Sequence, residues 1–180
     1  MLRRLPLLLL LISAASALVH AAPTAAASAP ASATSSRSGE AEVRDSGSGL
    51  PCFTISEREE RKNGAPNFEG ITVYDVSVKP RARMWSMTMP GRRTFPVLFS
   101  MCVPYGGRVQ ALPQTAAVML DPGKVYEVNI DVRGDDTPNQ VRSYAARFCL
   151  AKQRDGGVVV QHIGATATDG GNGIGCVAAR

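Results

Sequence analysis

The sequence has 180 residues, with 20 lysines and arginines against 15 acidic residues and a net charge of +5. This balance is only mildly basic, which argues against a nucleic-acid-binding protein. The length is sufficient for one domain with a substantial hydrophobic core.

Residues 1–21 are predicted to be a secretory signal peptide. Arg3 and Arg4 form its positive start, and an apolar run over residues 5–12 is followed by small residues suited to cleavage after Ala21 or Ala17. The run is too short for a stable membrane span. Cleavage removes two arginines and lowers the formal charge from +5 to +3. We therefore expect a periplasmic or secreted protein with no stable membrane anchor after cleavage.

Residues 22–49 are predicted to be a disordered linker. Residues 22–39 are Ala, Ser, Thr, Pro and Gly, apart from Arg37. Such a stretch has few large apolar side chains to bury, so burial cannot offset the conformational entropy that is lost on ordering.

From residue 50 the sequence changes to short apolar runs separated by turn residues. The predicted strands are 50–56, 70–78, 82–89, 94–103, 114–120, 124–133, 141–152 and 157–163. A helical turn over 57–62 is a weaker alternative to a solvated loop. Seven or eight short strands with a turn every 8–12 residues predict an all-β fold, a single antiparallel β-sandwich of the immunoglobulin-like type. The sandwich is expected to span residues 50–163, and residues 164–180 are expected to form an irregular Gly-rich tail.

The four cysteines are predicted to form two disulfides, because all of them follow the signal peptide. By strand alternation, Cys52, Cys102 and Cys149 lie opposite the large apolar residues, unlike the core cysteines of a true immunoglobulin domain. The favoured pairing is Cys149 with Cys176, which anchors the tail, and Cys52 with Cys102. A Cys102–Cys149 pair between neighbouring strands is an alternative that the sequence leaves open.

The sequence gives little support for catalytic activity. His162 is the only histidine that remains after cleavage, and it ends an apolar strand. No nucleophile elbow, zinc-binding helix motif or phosphate loop is present. We therefore expect no enzymatic activity and no catalytic residues.

A methionine-rich stretch, RMWSMTMP, raises an alternative function. Thioethers suit Cu(I), and a tryptophan face can cap a cation. The sequence thus suggests a Cu(I) site formed by Met84, Trp85, Met87 and Met89. The competing interpretation is a core-facing strand, since alternate residues share one face. The core-facing strand is favoured over the Cu(I) site, and it requires no cofactor.

Charges segregate along the chain. No acidic residue lies between Val76 and Leu120, and the following stretch to Asp136 is net acidic. A basic surface for a protein partner is therefore predicted, with Arg81, Arg83, Arg92, Arg93 and Arg108 as its binding residues. Two solvated faces of opposite charge are the simpler alternative.

The order of the segments CFTI, MCVPYGG, LDPGKVYEVNI and YAARFCLAKQRDGG resembles small periplasmic proteins, often lipoproteins, that are grouped with type VI secretion immunity or accessory proteins. The resemblance covers about two-thirds of the chain. It implies a compact β-sandwich in the bacterial envelope that binds and neutralises an incoming toxin, and cysteines at Cys52, Cys102 and Cys149. Cys176 has no counterpart, and the lipid-attachment cysteine is absent. The expected function is therefore an exported, non-enzymatic binding protein, with an immunity role as its specific form and Cu(I) binding as the alternative. Carbohydrate binding is weaker, because few exposed aromatic residues are expected.

Overall fold

The computed structural model describes residues 37–47, 49–109, 112–134, 140–163 and 176. The predicted signal peptide, most of the predicted linker and all of the predicted tail except Cys176 lie outside these residues. The described chain forms nine strands and one helix. The strands are β1 (Arg37–Asp45), β2 (Pro51–Ile55), β3 (Asn67–Asp75), β4 (Ala82–Thr88), β5 (Phe95–Pro96), β6 (Val103–Pro104), β7 (Val125–Arg133), β8 (Val141–Lys152) and β9 (Val158–Ile163), and the helix is α1 (Glu57–Asn63).

All nine strands are hydrogen-bonded into one mixed sheet. Its order is β4-β3-β7-β8-β1-β2-β6, with β5 paired to β3 and β9 paired to β8. The pairing of β1 with β8 is parallel, and the other pairings are antiparallel. The predicted all-β class with two disulfides is thus confirmed. The arrangement differs from the expected sandwich, because the strands form one curled sheet like half a barrel.

The core lies on the concave face of the sheet. Strand β7 buries Tyr126, Val128, Ile130 and Val132, in the alternation that the sequence predicts for it. The ring of Phe148 in β8 packs between Tyr126 and Phe53, with both pairs of ring centroids 5.5 Å apart. Aromatic and branched side chains from six strands therefore fill one continuous interior.

The sheet curls far enough for its two ends to meet. The chain leaves β5, which pairs with β3, and reaches β6, which pairs with β2 at the opposite end of the sheet. Tyr105 follows β6, and its ring packs edge-on against Trp85 of β4, with centroids 5.6 Å apart. Residues 97–105 therefore close the open side of the half-barrel.

Strand β1 corrects the predicted linker boundary. The linker was expected to run to residue 49, but residues 37–45 form a strand between β8 and β2. The strand has no large apolar side chain and contributes only Ala41 and Val43 to the core. Its small residues are required by packing, because a Cβ at Gly39 would lie 2.5 Å from the ring of Tyr144. The small residues that predict disorder from composition therefore fit a strand that packs against the ring of Tyr144.

Helix α1 occupies the stretch that was interpreted as a solvated loop. The hydroxyl of Ser56 accepts a hydrogen bond from the Glu59 amide at 3.3 Å, which caps the helix start. Glu59 is only 6% exposed and accepts hydrogen bonds from Arg37 at 2.9 Å and Asn63 at 2.7 Å. Capping and this buried carboxylate stabilise a helix of seven residues that would be marginal alone.

The predicted strand over 94–103 is wrong. Only its two ends are strands, because the backbone between them bonds to side chains of other elements. The Thr54 hydroxyl donates to the Leu98 carbonyl at 2.7 Å, and the Phe99 amide donates to the Glu60 carboxylate at 3.1 Å. The placement of Cys102 by strand alternation therefore has no basis. Cys52 and Cys149 lie outside the core cluster, yet both are buried, at 4% and 0% exposed.

Both disulfides join the cysteines that the sequence analysis favoured. Cys52 pairs with Cys102 and Cys149 with Cys176, with Cα atoms 5.3 and 5.7 Å apart. The alternative Cys102–Cys149 pair is not formed. Disulfides of this kind are typical of proteins in an oxidising compartment outside the cytoplasm. Among the described residues, no helix is long and apolar enough to cross a membrane.

Candidate functional site

The predicted partner-binding arginines all lie near the end of the sheet that β4 forms. Arg83 is in β4, Arg81 immediately precedes it, and Arg92 and Arg93 lie in the turn that follows. Arg108 belongs to the loop that returns from β6 toward β4. The five residues, spread over 28 positions of the sequence, thus lie along β4 and in the loops beside it.

Residues 113–119, here called the edge segment, run along the free side of β4. The Thr88 amide donates to the Pro113 carbonyl at 3.0 Å, and the Thr115 amide donates to the Ser86 carbonyl at 2.9 Å. The Val118 amide donates to the Met84 carbonyl at 3.0 Å. The segment is therefore the backbone neighbour of β4 on the side away from β3.

The predicted strand over 114–120 is thus present as a neighbour of β4 but not as a regular strand. Only Gln114 forms a ladder bridge, with Met87. The Ser86 amide donates to the Thr115 hydroxyl at 2.9 Å instead of to a backbone carbonyl. A side chain that replaces a backbone acceptor interrupts the ladder.

Tyr105 attaches the edge segment to the core. Its hydroxyl lies 2.6 Å from the Val118 carbonyl and 3.3 Å from the Met84 carbonyl, so one phenol joins two chain segments. Burial, and to a smaller extent the neighbouring Tyr126, raises the pKa of Tyr105, so the hydroxyl keeps its proton and acts as a donor. No pattern in the sequence indicates this role for Tyr105.

The outward side of the edge segment is unpaired. No described residue accepts a hydrogen bond from the backbone amides of Ala116, Ala117 or Met119. The side chains here are apolar and exposed, with Met119 83% and Val118 51% accessible. An edge with free backbone groups and exposed apolar side chains is suited to pairing with another extended chain.

The arginines around this edge differ in their pairing from most of those elsewhere, although Arg154 also has no acidic partner among the described residues. Most described arginines form ion pairs with glutamates, namely Arg37, Arg44, Arg58, Arg61, Arg81, Arg133 and Arg147. In contrast, Arg83, Arg92, Arg93 and Arg108 are exposed and have no acidic partner in the described part of the chain. Four of the five predicted residues are therefore available to a partner.

Arg81 is the exception among the predicted arginines. Its guanidinium lies 4.1 Å from the centre of the Tyr74 ring and 3.3 Å from the Glu127 carboxylate. Glu127 also binds Arg147 at 3.2 Å. These contacts hold Arg81 on the convex face of the sheet, where its charge is partly neutralised by a carboxylate that it shares with Arg147.

A groove of about 590 Å³ lies beside the edge segment. Its described lining includes Arg108, Val109 and Leu112 on one side and Gln114, Thr115 and Ala117 on the other. Gly106 turns the chain at φ +68° and packs against Ala117, so that a Cβ at residue 106 would lie 2.9 Å from the Ala117 Cβ. The described lining mixes apolar and polar side chains, with one unpaired cation and no acidic group.

The methionine-rich stretch lies in and beside the core. Trp85 is fully buried, and Met84 and Met87 are 7% and 2% exposed. Met84 has no partner in the register between β3 and β4, and this bulge allows Met84 and Trp85 to be buried in succession. Met89 packs against the core from outside. Packing accounts for all four positions, and Cu(I) binding stays a prediction.

His162 lies in a smaller polar cavity of about 240 Å³ where β1 and β9 separate along β8. Glu40, Glu127 and Arg147 also line it, and the two carboxylates are already paired with arginines. All four cysteines are in disulfides, so no thiol is available as a nucleophile. The described residues contain no group of three or more histidine, cysteine, aspartate or glutamate side chains arranged to hold a metal ion.

Comparisons with known proteins give no relative. No family model matches the chain, no curated protein is similar to it, and no solved structure shares its fold at a significant level.

Proposed function

We propose that this chain is an exported, non-enzymatic binding protein that captures an acidic protein partner at the β4 end of its sheet. One observation carries the proposal. Arg83, Arg92, Arg93 and Arg108 lack acidic partners within the described chain, and they surround a sheet edge whose backbone is also unpaired.

The chemistry of arginine supports a protein partner. An exposed guanidinium offers several donors in a fixed plane and binds carboxylates in pairs of parallel hydrogen bonds. Four such groups without internal neutralisation attract an acidic surface and steer its approach. Where arginine serves only the fold of this protein, as at Arg133, it binds a glutamate, here at 2.8 Å.

The predicted signal peptide and the disulfides support action outside the cytoplasm, and we propose the periplasm as the compartment. Neutralisation of a secreted toxin is the specific form of the proposal. It depends on the resemblance of four sequence segments to type VI secretion immunity and accessory proteins.

The proposal is tested by reversing charge at the edge. We expect the variant Arg92→Glu with Arg93→Glu to capture at least about tenfold less partner from an envelope extract than the unchanged protein does. The reason is that both side chains are exposed and unpaired. Bound proteins are quantified by mass spectrometry, beside a toxin-protection assay in cells.

Lys152→Glu with Arg154→Glu is the matched control, because it makes the same change of charge at exposed residues after β8. Circular dichroism checks that both variants fold. The proposal fails if no acidic protein is captured, or if the two double variants reduce capture equally.

A further inference from the structure

We infer that the partner binds by adding an extended acidic segment to the edge segment, as an additional strand of the sheet. This inference rests on the proposed function and specifies how the same surface is used. It follows from three properties of the edge segment and its described neighbours: free backbone groups, exposed apolar side chains and the unbalanced positive charge of Arg83, Arg92 and Arg108.

The backbone provides the first argument. The amides of Thr115 and Val118 point toward β4, where they donate to Ser86 and Met84. Among the described residues, no acceptor serves the amides of Ala116, Ala117 and Met119. Tyr105 holds the Val118 carbonyl in place at 2.6 Å. Contacts with the core therefore hold the edge segment in place. Little conformational entropy is lost when a new strand pairs with it.

The side chains provide the second argument. Met119 is the most exposed large apolar side chain described, and Val118 and Val109 are 51% and 48% exposed. The groove beside residues 114–117 can receive alternate side chains of an added strand. Backbone pairing supplies affinity in this mode of binding, and the pockets for alternate side chains supply selectivity.

Charge decides which chain occupies the edge. A second copy of this protein could pair edge to edge, but it would bring two sets of unpaired arginines together. Arg83 precedes Met84, which bonds to Val118 at one end of the edge segment, and Arg92 follows Thr88, which bonds to Pro113 at the other end. Arg108 lines the groove between these ends. An acidic segment of another protein neutralises these charges, whereas a second copy adds to them.

The inference is tested with a short synthetic peptide that alternates valine and glutamate, titrated into the full chain with both disulfides formed. Its control alternates valine and lysine. We expect the acidic peptide to bind at least about tenfold more tightly than the basic one. Hydrogen exchange measured by NMR should show at least about tenfold slower exchange at the amides of Ala116, Ala117 and Met119 in the complex.

Ala116→Pro and Ala116→Ser form a matched pair of variants. Proline removes one free amide but leaves the amides of Thr115 and Val118, whereas serine keeps the amide. We expect proline to weaken peptide binding about tenfold and serine to change it less than about twofold. Retained protection of the Val118 amide shows that the edge segment stays in place.

The inference is overturned if the acidic peptide does not bind, if the three amides gain no protection, or if Ala116→Pro binds as tightly as the unchanged protein. Its failure is distinct from failure of the proposed function. If capture is lost in Arg92→Glu with Arg93→Glu but kept in Ala116→Pro, the basic surface binds its partner without adding a strand.

Discussion

Tyr105 shows how one side chain fixes the position of a whole surface. Its ring is 7% exposed and packs against Trp85, while its hydroxyl reaches the Val118 carbonyl. Loss of the hydroxyl removes a hydrogen bond without creating a large cavity, because phenylalanine keeps the ring.

We expect Tyr105→Phe to lower the free energy of unfolding by about 1 kcal/mol. The measurement is urea denaturation followed by circular dichroism. Tyr74→Phe is the control, because the Tyr74 hydroxyl has no hydrogen-bond partner among the described residues, and its effect should stay within about 0.5 kcal/mol. Equal stability of the two variants would show that the hydroxyl of Tyr105 contributes nothing to attachment of the edge segment.

At the scale of elements, the sheet depends most on strand β1. It lies between β8 and β2, so it joins the two parts of the sheet. The Ala41 and Val43 side chains enter the core from this strand.

A chain that begins at residue 50 should therefore fail to fold, although sequence composition places the domain start there. A chain that begins at residue 37 keeps every described strand and should unfold cooperatively. Removing β1 exposes the inner faces of β2 and β8 and leaves both with an unpaired edge, a loss of the same order as the whole stability of about 5–15 kcal/mol. Urea denaturation of the two chains decides this, and a cooperative transition in the shorter chain contradicts the expectation.

Elements with a strong alternating pattern were predictable from the sequence, and those held by long-range contacts were not. Strand β8 has the predicted bounds, 141–152, and Tyr144, Phe148 and Leu150 fall on alternate positions within it. Strand β1 also alternates, but its buried residues are only Gly39, Ala41 and Val43, and its pairing depends on a distant partner in β8. The break within 94–103 depends on Thr54 and Glu60, which local propensity cannot reveal. The arginines of the candidate site were predictable from charge, but the unpaired edge that they surround required the fold.

At the scale of the whole molecule, the two disulfides hold different parts together. Cys52–Cys102 spans 50 residues and joins β2 to the crossing over 97–105. Cys149–Cys176 spans 27 residues and joins the last described residue to β8.

We expect Cys52→Ala with Cys102→Ala to lose about 4 kcal/mol and Cys149→Ala with Cys176→Ala about 3.5 kcal/mol, since the cost of closing a loop in the unfolded chain grows slowly with its length. Urea denaturation of the two double variants measures this. Peptide mapping without reduction checks the pairing, and a linked peptide that contains Cys102 and Cys149 would contradict it.

The parallel pair of β1 and β8 has a consequence for how the protein is made. Strand β1 can pair with β2 as soon as both emerge in the compartment where the protein folds, but its other edge must wait for β8, which begins at Val141. If the chain is exported as it is synthesised, this delay is about 5 to 20 seconds. During that time a growing chain exposes the edge that will later be central to the sheet, and a chaperone that shields residues 37–45 would protect it from aggregation.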